Sequence, residues 1–317
     1  MKYFLESKAC YGKSRHKDKE EAREKYKAEH GGSLEGWNPS KLPGIYSFAT
    51  MRTYISQMRP FARYCAEHGA RRVSAVTKEM GEAYLRHLAE QGKSGWTIST
   101  AASAINKAVD WDLSPKALGL PGRRKKSIRK CREGDAYTEK EYGTYKDQIT
   151  IARAIGARRS SIYNKKDPNK LITPNRCVRN EDGIVVGIRL IEKGGKVRVA
   201  PVLNGYRDAV TEIVNRASSE RGADVPLFDS YGGHVRNHRL RAEYAAALLH
   251  QLEDERKAGG PFFGGAFKLE DYCHLKGKDK KRKTKTAGHD TDLIGAVSGA
   301  LGHNRVEVVL RHYLYLY

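Results

Sequence analysis

The sequence predicts a two-domain chain: a small all-α domain followed by a mainly α domain that carries a small β-sheet. Three observations predict it. A length of 317 residues corresponds to about two domains. Apolar residues recur at three- and four-residue spacing over most of the chain, the stripe of amphipathic helices. One stretch, residues 183–202 (GIVVGIRLIEKGGKVRVAPV), breaks that period and reads as two β-runs about a glycine pair.

The segments follow in order. Residues 1–45 are polar and basic and close on Gly31, Gly32, Pro39, Pro43 and Gly44; the charged run suits a solvated helix, with too little apolar surface to fold alone, so an arm or linker is expected. Residues 46–120 form the helical domain. Met51, Tyr54, Ile55, Met58, Phe61, Ala62 and Cys65 make its first stripe, with Pro60 inside as a candidate kink. Thr77 caps a second helix that buries Met80, Tyr84, Leu85 and Leu88, and a third runs from about Thr97 to Trp111. Residues 121–135 are a basic linker in which Arg123 to Arg132 hold seven basic residues in ten. The second domain, 136–317, opens with a Thr138–Glu141 capping box. After the hairpin, RDAVTEIVNRA, RLRAEYAAALLHQLEDE, DLIGAVSGAL and VEVVLRHYL all have helical spacing. Residues 255–289 read as a basic insertion, a loop.

Composition narrows the function. With 59 Lys and Arg against 37 Asp and Glu, the net charge is +22, and a folded protein this basic most simply has a polyanionic partner, nucleic acid being the commonest. Hydrophobic residues at 39% argue against a wholly disordered basic protein. The chain has no apolar run of membrane-spanning length, its mean hydropathy is −0.68, and its first residues lack a signal-peptide apolar region, so no membrane partner is expected. Five scattered cysteines without a CxxC pair fit a reducing cytosol rather than a disulfide framework or zinc ribbon, and Cys273–His274 is a poor metal signal.

Within the second domain IARAIGARRSS, EKGGKVRVAPV, HRLR, ALGHNR and HYL follow one another in a fixed order. This order resembles the tyrosine recombinases, the phage-integrase family, and LGHNRVEVVLRHYL looks especially like integrases of mobile elements. The resemblance covers about residues 46–317. It implies a SAM-like core-binding domain and the tyrosine recombinase catalytic fold, closing as a C-shaped clamp on duplex DNA. Cutting DNA without metal or ATP needs a nucleophile that conserves the phosphodiester energy in a covalent bond, cations or donors for the charge developing on phosphorus, and an acid for the leaving 5′-oxygen. The family meets these needs with two arginines, a lysine, two histidine-type donors and a tyrosine.

Carried over by position, Arg158 matches the first arginine, and a guanidinium fork suits nonbridging phosphate oxygens. Its neighbour Arg159 then caps a helix or contacts backbone DNA. The acidic residue usual three positions on is Ser161 here. Lys193 fits the hairpin lysine that protonates the leaving 5′-hydroxyl, with Lys196 the alternative. His238 and Arg241, at i and i+3, share a helix face and serve as phosphate donor or proton shuttle and as second clamp. His289 competes for the first of these roles but lacks an arginine three residues on. His303 matches the third donor. Tyr313 is the expected nucleophile: Val306, Val309, Leu310 and Tyr313 lie on one helix face, whereas Tyr315 is out of phase and Tyr317 is the last residue.

DNA-backbone contacts are expected from Arg123, Arg124, Lys125 and Lys126 in the linker, Lys196 and Arg198 on the hairpin, and Lys280, Lys281, Arg282 and Lys283 in the insertion. The sequence departs from the family in two intervals. His238 and His303 stand 65 residues apart, more than usual, and Lys193 and His238 only 45, so that a helix between them would be missing or displaced. The resemblance implies no cofactor, double-stranded DNA as partner, a homo-tetramer on paired sites, accessory DNA-bending or directionality proteins, and a cytoplasmic, nucleoid-associated setting in a bacterium or phage host. A type IB topoisomerase-like relaxing enzyme and a non-catalytic architectural DNA-binding protein are the rival readings.

Overall fold

Capping side chains start the helices of the first unit. The computed structural model describes residues 2–37, 42, 44–123, 135–165, 167–192, 197–273, 288–303 and 305–314, and the chain divides into two units, Met1–Arg129 and Lys130–Tyr317. In the first unit α1 spans Lys2–Glu6, α2 Arg15–Glu29, α3 Phe48–Glu67, α4 Lys78–Glu90 and α5 Gly95–Val109. The side chains of Ser47, Thr77 and Ser94 accept hydrogen bonds from the backbone N–H of Thr50, Met80 and Thr97, each satisfying a donor that the first helical turn leaves open. The stripe read from the sequence is the buried one. Met51, Met58, Phe61 and Cys65 of α3 meet Tyr84, Leu85 and Leu88 of α4 and Ile98, Ala101 and Ile105 of α5. Alanines on α5 let α3 pack closely, and α3 runs on through Pro60.

The expected 1–45 arm is corrected at both its ends. Leu5 of α1 is fully buried in this core, α1 packs on α3 and α5, and Ile45 joins them, tied by Cys10 N–H to Ile45 O at 2.9 Å and Ile45 N–H to Lys8 O at 2.7 Å. A polar average hides two apolar residues that fill one gap. Between them α2 is the solvated helix its charge pattern implies, capped by Ser14.

In the second unit α6 spans Glu139–Ile155, α7 Arg159–Ile162, α8 Arg207–Arg221, α9 Asn237–Lys257, α10 Thr291–Ala300 and α11 Val306–His312. Both halves of the Thr138–Glu141 capping box are formed. The hairpin is β2 (Val185–Ile191) with β3 (Val197–Pro201), paired antiparallel from Gly187↔Pro201 to Ile191↔Val197. A third strand, β1 (Cys177–Arg179), adds to β2 on the other side; three residues are too short for a period to register in sequence. The short interval between hairpin and HRLR box does hold a helix, α8, whose Val210, Ile213 and Val214 cover the sheet with α6.

A second apolar cluster gathers α9, α10 and α11. The insertion is corrected in its first half, which is packed rather than a loop: Phe263, Leu269 and Tyr272 are buried in that cluster, and Glu255 accepts from Phe263 N–H at 2.7 Å and Gly264 N–H at 2.8 Å. Gly299 of α10 permits this, since a Cβ there would stand 2.0 Å from the Tyr272 carbonyl oxygen. The glycines and lysines of this stretch masked the weight of its aromatics. Among the described residues no helix is long and apolar enough to cross a membrane.

Candidate active site

Five of the six catalytic residues expected from sequence are described, and the second unit brings them to one place from four directions. Helix α6 ends at Gly156, left-handed at φ +56, where a Cβ would meet Tyr244 Cδ1 at 2.4 Å; only glycine turns the chain there against α9. Two residues on, Arg158 stands in extended backbone before α7. The first turn of α9 supplies His238 and Arg241, the turn after α10 supplies His303, and the end of α11 supplies Tyr313. The sixth, Lys193, and its alternative Lys196 lie outside the described residues, as do Arg124, Lys125, Lys126, Lys280, Lys281, Arg282, Lys283, Tyr315 and Tyr317.

Arg241 is the centre of the arrangement. It is 1% exposed, and its guanidinium donates to the carbonyls of Gly156 and Leu301, locking the fork between α6 and the turn after α10. Its Nε donates to Tyr313 Oη at 3.2 Å, and its Nη2 lies 3.4 Å from His303 Nε2. A guanidinium only donates, so His303 Nε2 is an acceptor and the ring proton sits on Nδ1. The Tyr313 hydroxyl, 3.0 Å from that same Nε2, therefore donates to it. Burial and the neighbouring guanidiniums of Arg241, Arg158, Arg198 and Arg305 push the His303 pKa down to about 3, so the ring is neutral near pH 7 and its Nε2 is a hydrogen-bond acceptor but a weak base. Tyr313 itself is buried, packed against Val309 and Leu310 as its phase requires.

Arg158, Arg159, His238 and Arg241 line a cleft of about 640 Å³ with Tyr163, Asn237 and Arg239. Burial, Arg241 and Arg158 lower the pKa of His238; burial and Arg241 lower that of Arg158. Cations crowded together and partly desolvated make a cleft suited to an anion. The two adjacent arginines have different partners. Arg159 donates to Gly232 O and to Tyr231 O at 2.7 Å and stacks on the Tyr231 ring, whereas Arg158 meets a carboxylate beside Arg241. The competitor His289 is tied to Glu253 at 2.6 Å.

One expected DNA contact is corrected. Arg198 is 8% exposed; its Nε donates to Glu192 Oε1 at 3.0 Å and its Nη1 to Ala300 O, so it cross-links β3 to α10 instead of reaching a DNA backbone. The alternation of β3 places Arg198 on the covered face of the hairpin, which has α10 against it. Arg123 is exposed, with its guanidinium 5.0 Å from the Trp96 ring centroid. Sequence reasoning missed Glu192, whose carboxylate meets both Arg158 and Arg198. It also missed Asn237, which donates to the carbonyl of Ala157 at 3.0 Å and so secures the turn that carries Arg158. Neither residue has a distinguishing local signal, since an acid beside a lysine-rich turn usually faces water.

Residues 44–113, which span α3 to α5, match the family described as phage integrase, N-terminal SAM-like domain. No curated protein matches the chain by sequence. Among solved structures, the Tn1549 transposon integrase in complex with transposon right-end DNA is similar at 16% identity and a TM-score of 0.38, over 85% of this chain and 90% of that one. The XerA recombinase is similar at 15% identity and a TM-score of 0.30, over 84% and 88%.

Proposed function

We propose that this chain, whose residues 44–113 match the phage integrase N-terminal SAM-like domain, is a tyrosine-type site-specific DNA recombinase that cuts and rejoins duplex DNA through a 3′-phosphotyrosyl intermediate. The observation that carries the reading is the Tyr313 hydroxyl held between Arg241 and a neutral His303, beside a cleft lined with arginine. In the forward step Tyr313 Oη attacks the scissile phosphorus and passes its proton to His303 Nε2, whose basicity the bound phosphate raises by offsetting the guanidinium charges that depress it. Arg158, Arg241 and His238 take up the charge growing on the nonbridging oxygens, and Lys193 protonates the departing 5′-oxygen. The energy of the broken phosphodiester is kept in the phosphotyrosine, so the reverse attack by a 5′-hydroxyl of a partner duplex restores the tyrosine without metal, cofactor or ATP.

Two rounds of this exchange on paired sites pass through a Holliday junction and call for four copies of the chain. Integration or excision of a mobile element is the task this fits, with accessory DNA-bending or directionality proteins choosing between them. The charge of +22 and the basic residues of the linker and insertion supply backbone contacts along the DNA, and the setting is the nucleoid in the cytoplasm of a bacterial or phage-infected cell. The test is a covalent adduct. The full chain is incubated with duplexes taken from the DNA flanking its coding sequence, the complexes are denatured and digested, and nucleotide-bearing tyrosine is mapped by mass spectrometry. An adduct on Tyr313, absent from Tyr313→Phe, is expected. Tight binding with no adduct on any tyrosine would make the chain an architectural DNA-binding protein, and relaxation of supercoils without exchange a relaxing enzyme.

A further inference from the structure

Arg158 and Arg198 share one buried carboxylate. Glu192, the first residue after β2, is 5% exposed; its Oε1 accepts from Arg198 Nε at 3.0 Å and its Oε2 meets Arg158 Nη1. Arg198 is fixed in turn at Ala300 O, one residue before the Leu301 carbonyl that holds Arg241. The short helix that follows Arg158 offers no acid, since it reads Arg159, Ser160, Ser161, Ile162. Ser161 is 1% exposed, and its Oγ has no hydrogen-bond partner among the described residues.

A carboxylate this buried is tolerable only when paired, and Arg198 alone would neutralise it. The second oxygen is turned the other way, toward the one arginine of the pair that lines the cleft. Arg158 also stands close enough to Arg241 for each charge to be felt by the other. Two guanidiniums aimed at one anion repel each other until the anion arrives, and a fixed negative charge behind one of them holds the pair together in advance. We infer that Glu192 is a positioning residue for Arg158: it orients the guanidinium toward the scissile phosphate, with Arg198 as its own anchor. The inference rests on the recombinase reading above, because it assigns Glu192 no contact with DNA.

The prediction is a split between binding and chemistry. Glu192→Gln removes a negative charge from beside the phosphate site, so DNA binding should be unchanged or tighter. Single-turnover formation of the phosphotyrosyl adduct should fall by ~10²-fold, the scale expected when a catalytic group is displaced by about an ångström. Glu192→Asp, which keeps the charge on a shorter side chain, should lie between the two and serves if Glu192→Gln folds poorly.

The decisive readout uses a duplex with a neutral methylphosphonate at the cleavage position. There the charge that Arg158 must meet is reduced, so the deficit of the Glu192 variant against the parent should shrink to within ~3-fold. This ratio of ratios does not depend on the folded fraction of the variant. An equal deficit on both substrates would make Glu192 a structural residue only, and an unchanged rate on phosphate would remove it from the mechanism. If the parent chain forms no adduct at all, the recombinase reading fails instead.

Discussion

Arg241 is the residue on which the site turns, because one side chain closes the frame and touches Tyr313, the proposed nucleophile. Its fork holds the carbonyls of Gly156 and Leu301, so Arg241→Ala should cost stability as well as strand cleavage. Leaving two buried carbonyls without donors costs about 1–3 kcal/mol each, which a lowered urea midpoint would register. His303 makes a second prediction, with a sign set by its charge. Its pKa falls from the ordinary 6.5 to about 3 under burial and the charges of Arg241, Arg158, Arg198 and Arg305. Between those values the unfolded chain binds a proton that the folded chain does not. The stability this site contributes is full above pH 6.5 and is lost as pH falls toward 3. His238, lowered by burial, Arg241 and Arg158, acts in the same direction. Melting temperature should therefore drop from pH 7 to pH 4.5, and His303→Gln should make that drop shallower; an equally steep drop in the variant would remove His303 from the effect.

At the scale of elements, the two ends of α6 differ in their bearing on the proposed catalytic groups. The capping box at Thr138 and Glu141 starts α6, and Thr138→Ala should cost about 1 kcal/mol of unfolding free energy with little change in DNA cleavage. Gly156 ends the same helix, and Gly156→Ala is a harsher change. The alanine must adopt a left-handed backbone at about 1 kcal/mol and also collide with the Tyr244 ring, an overpacking cost of about 1–3 kcal/mol. Because Arg158 follows two residues later, that variant should lose cleavage beyond what its unfolded fraction accounts for, measured at a temperature where it remains folded. Helix starts were legible because a cap is written in adjacent residues: Thr77, Thr138 and the phase of α11 all stand where the spacing puts them. β1 and the packed start of the insertion were not, because three residues carry no period and Phe263 and Tyr272 are buried by partners far along the chain.

At the scale of the molecule, charge would govern an encounter with the proposed DNA partner. A net charge of +22, with basic runs at Arg123–Arg132 and Lys276–Lys285, implies release of many counterions on binding. If about six or more phosphates are neutralised, affinity should fall by ~10³-fold or more between 50 and 200 mM salt, as read by fluorescence anisotropy. Replacing Lys280, Lys281, Arg282 and Lys283 with glutamine should flatten that slope while the adduct still maps to Tyr313. An unchanged slope would mean that the insertion does not touch the backbone.

By itself the sequence determined the helical stripes, their caps, the hairpin and the ordered set Arg158, His238, Arg241, His303 and Tyr313, because each is written in local spacing or in the order of polar positions along the chain. Only the tertiary structure decided what those groups do to one another. It gave Arg158 and Arg159 different partners, withdrew Arg198 from the surface, brought Leu5 into the core and set Glu192 against Arg158 and Arg198. The physical reason is range. Periodicity and capping act over a turn of helix, whereas burial and charge pairing depend on which distant segments share a cavity, and that is settled only when the chain has closed on itself.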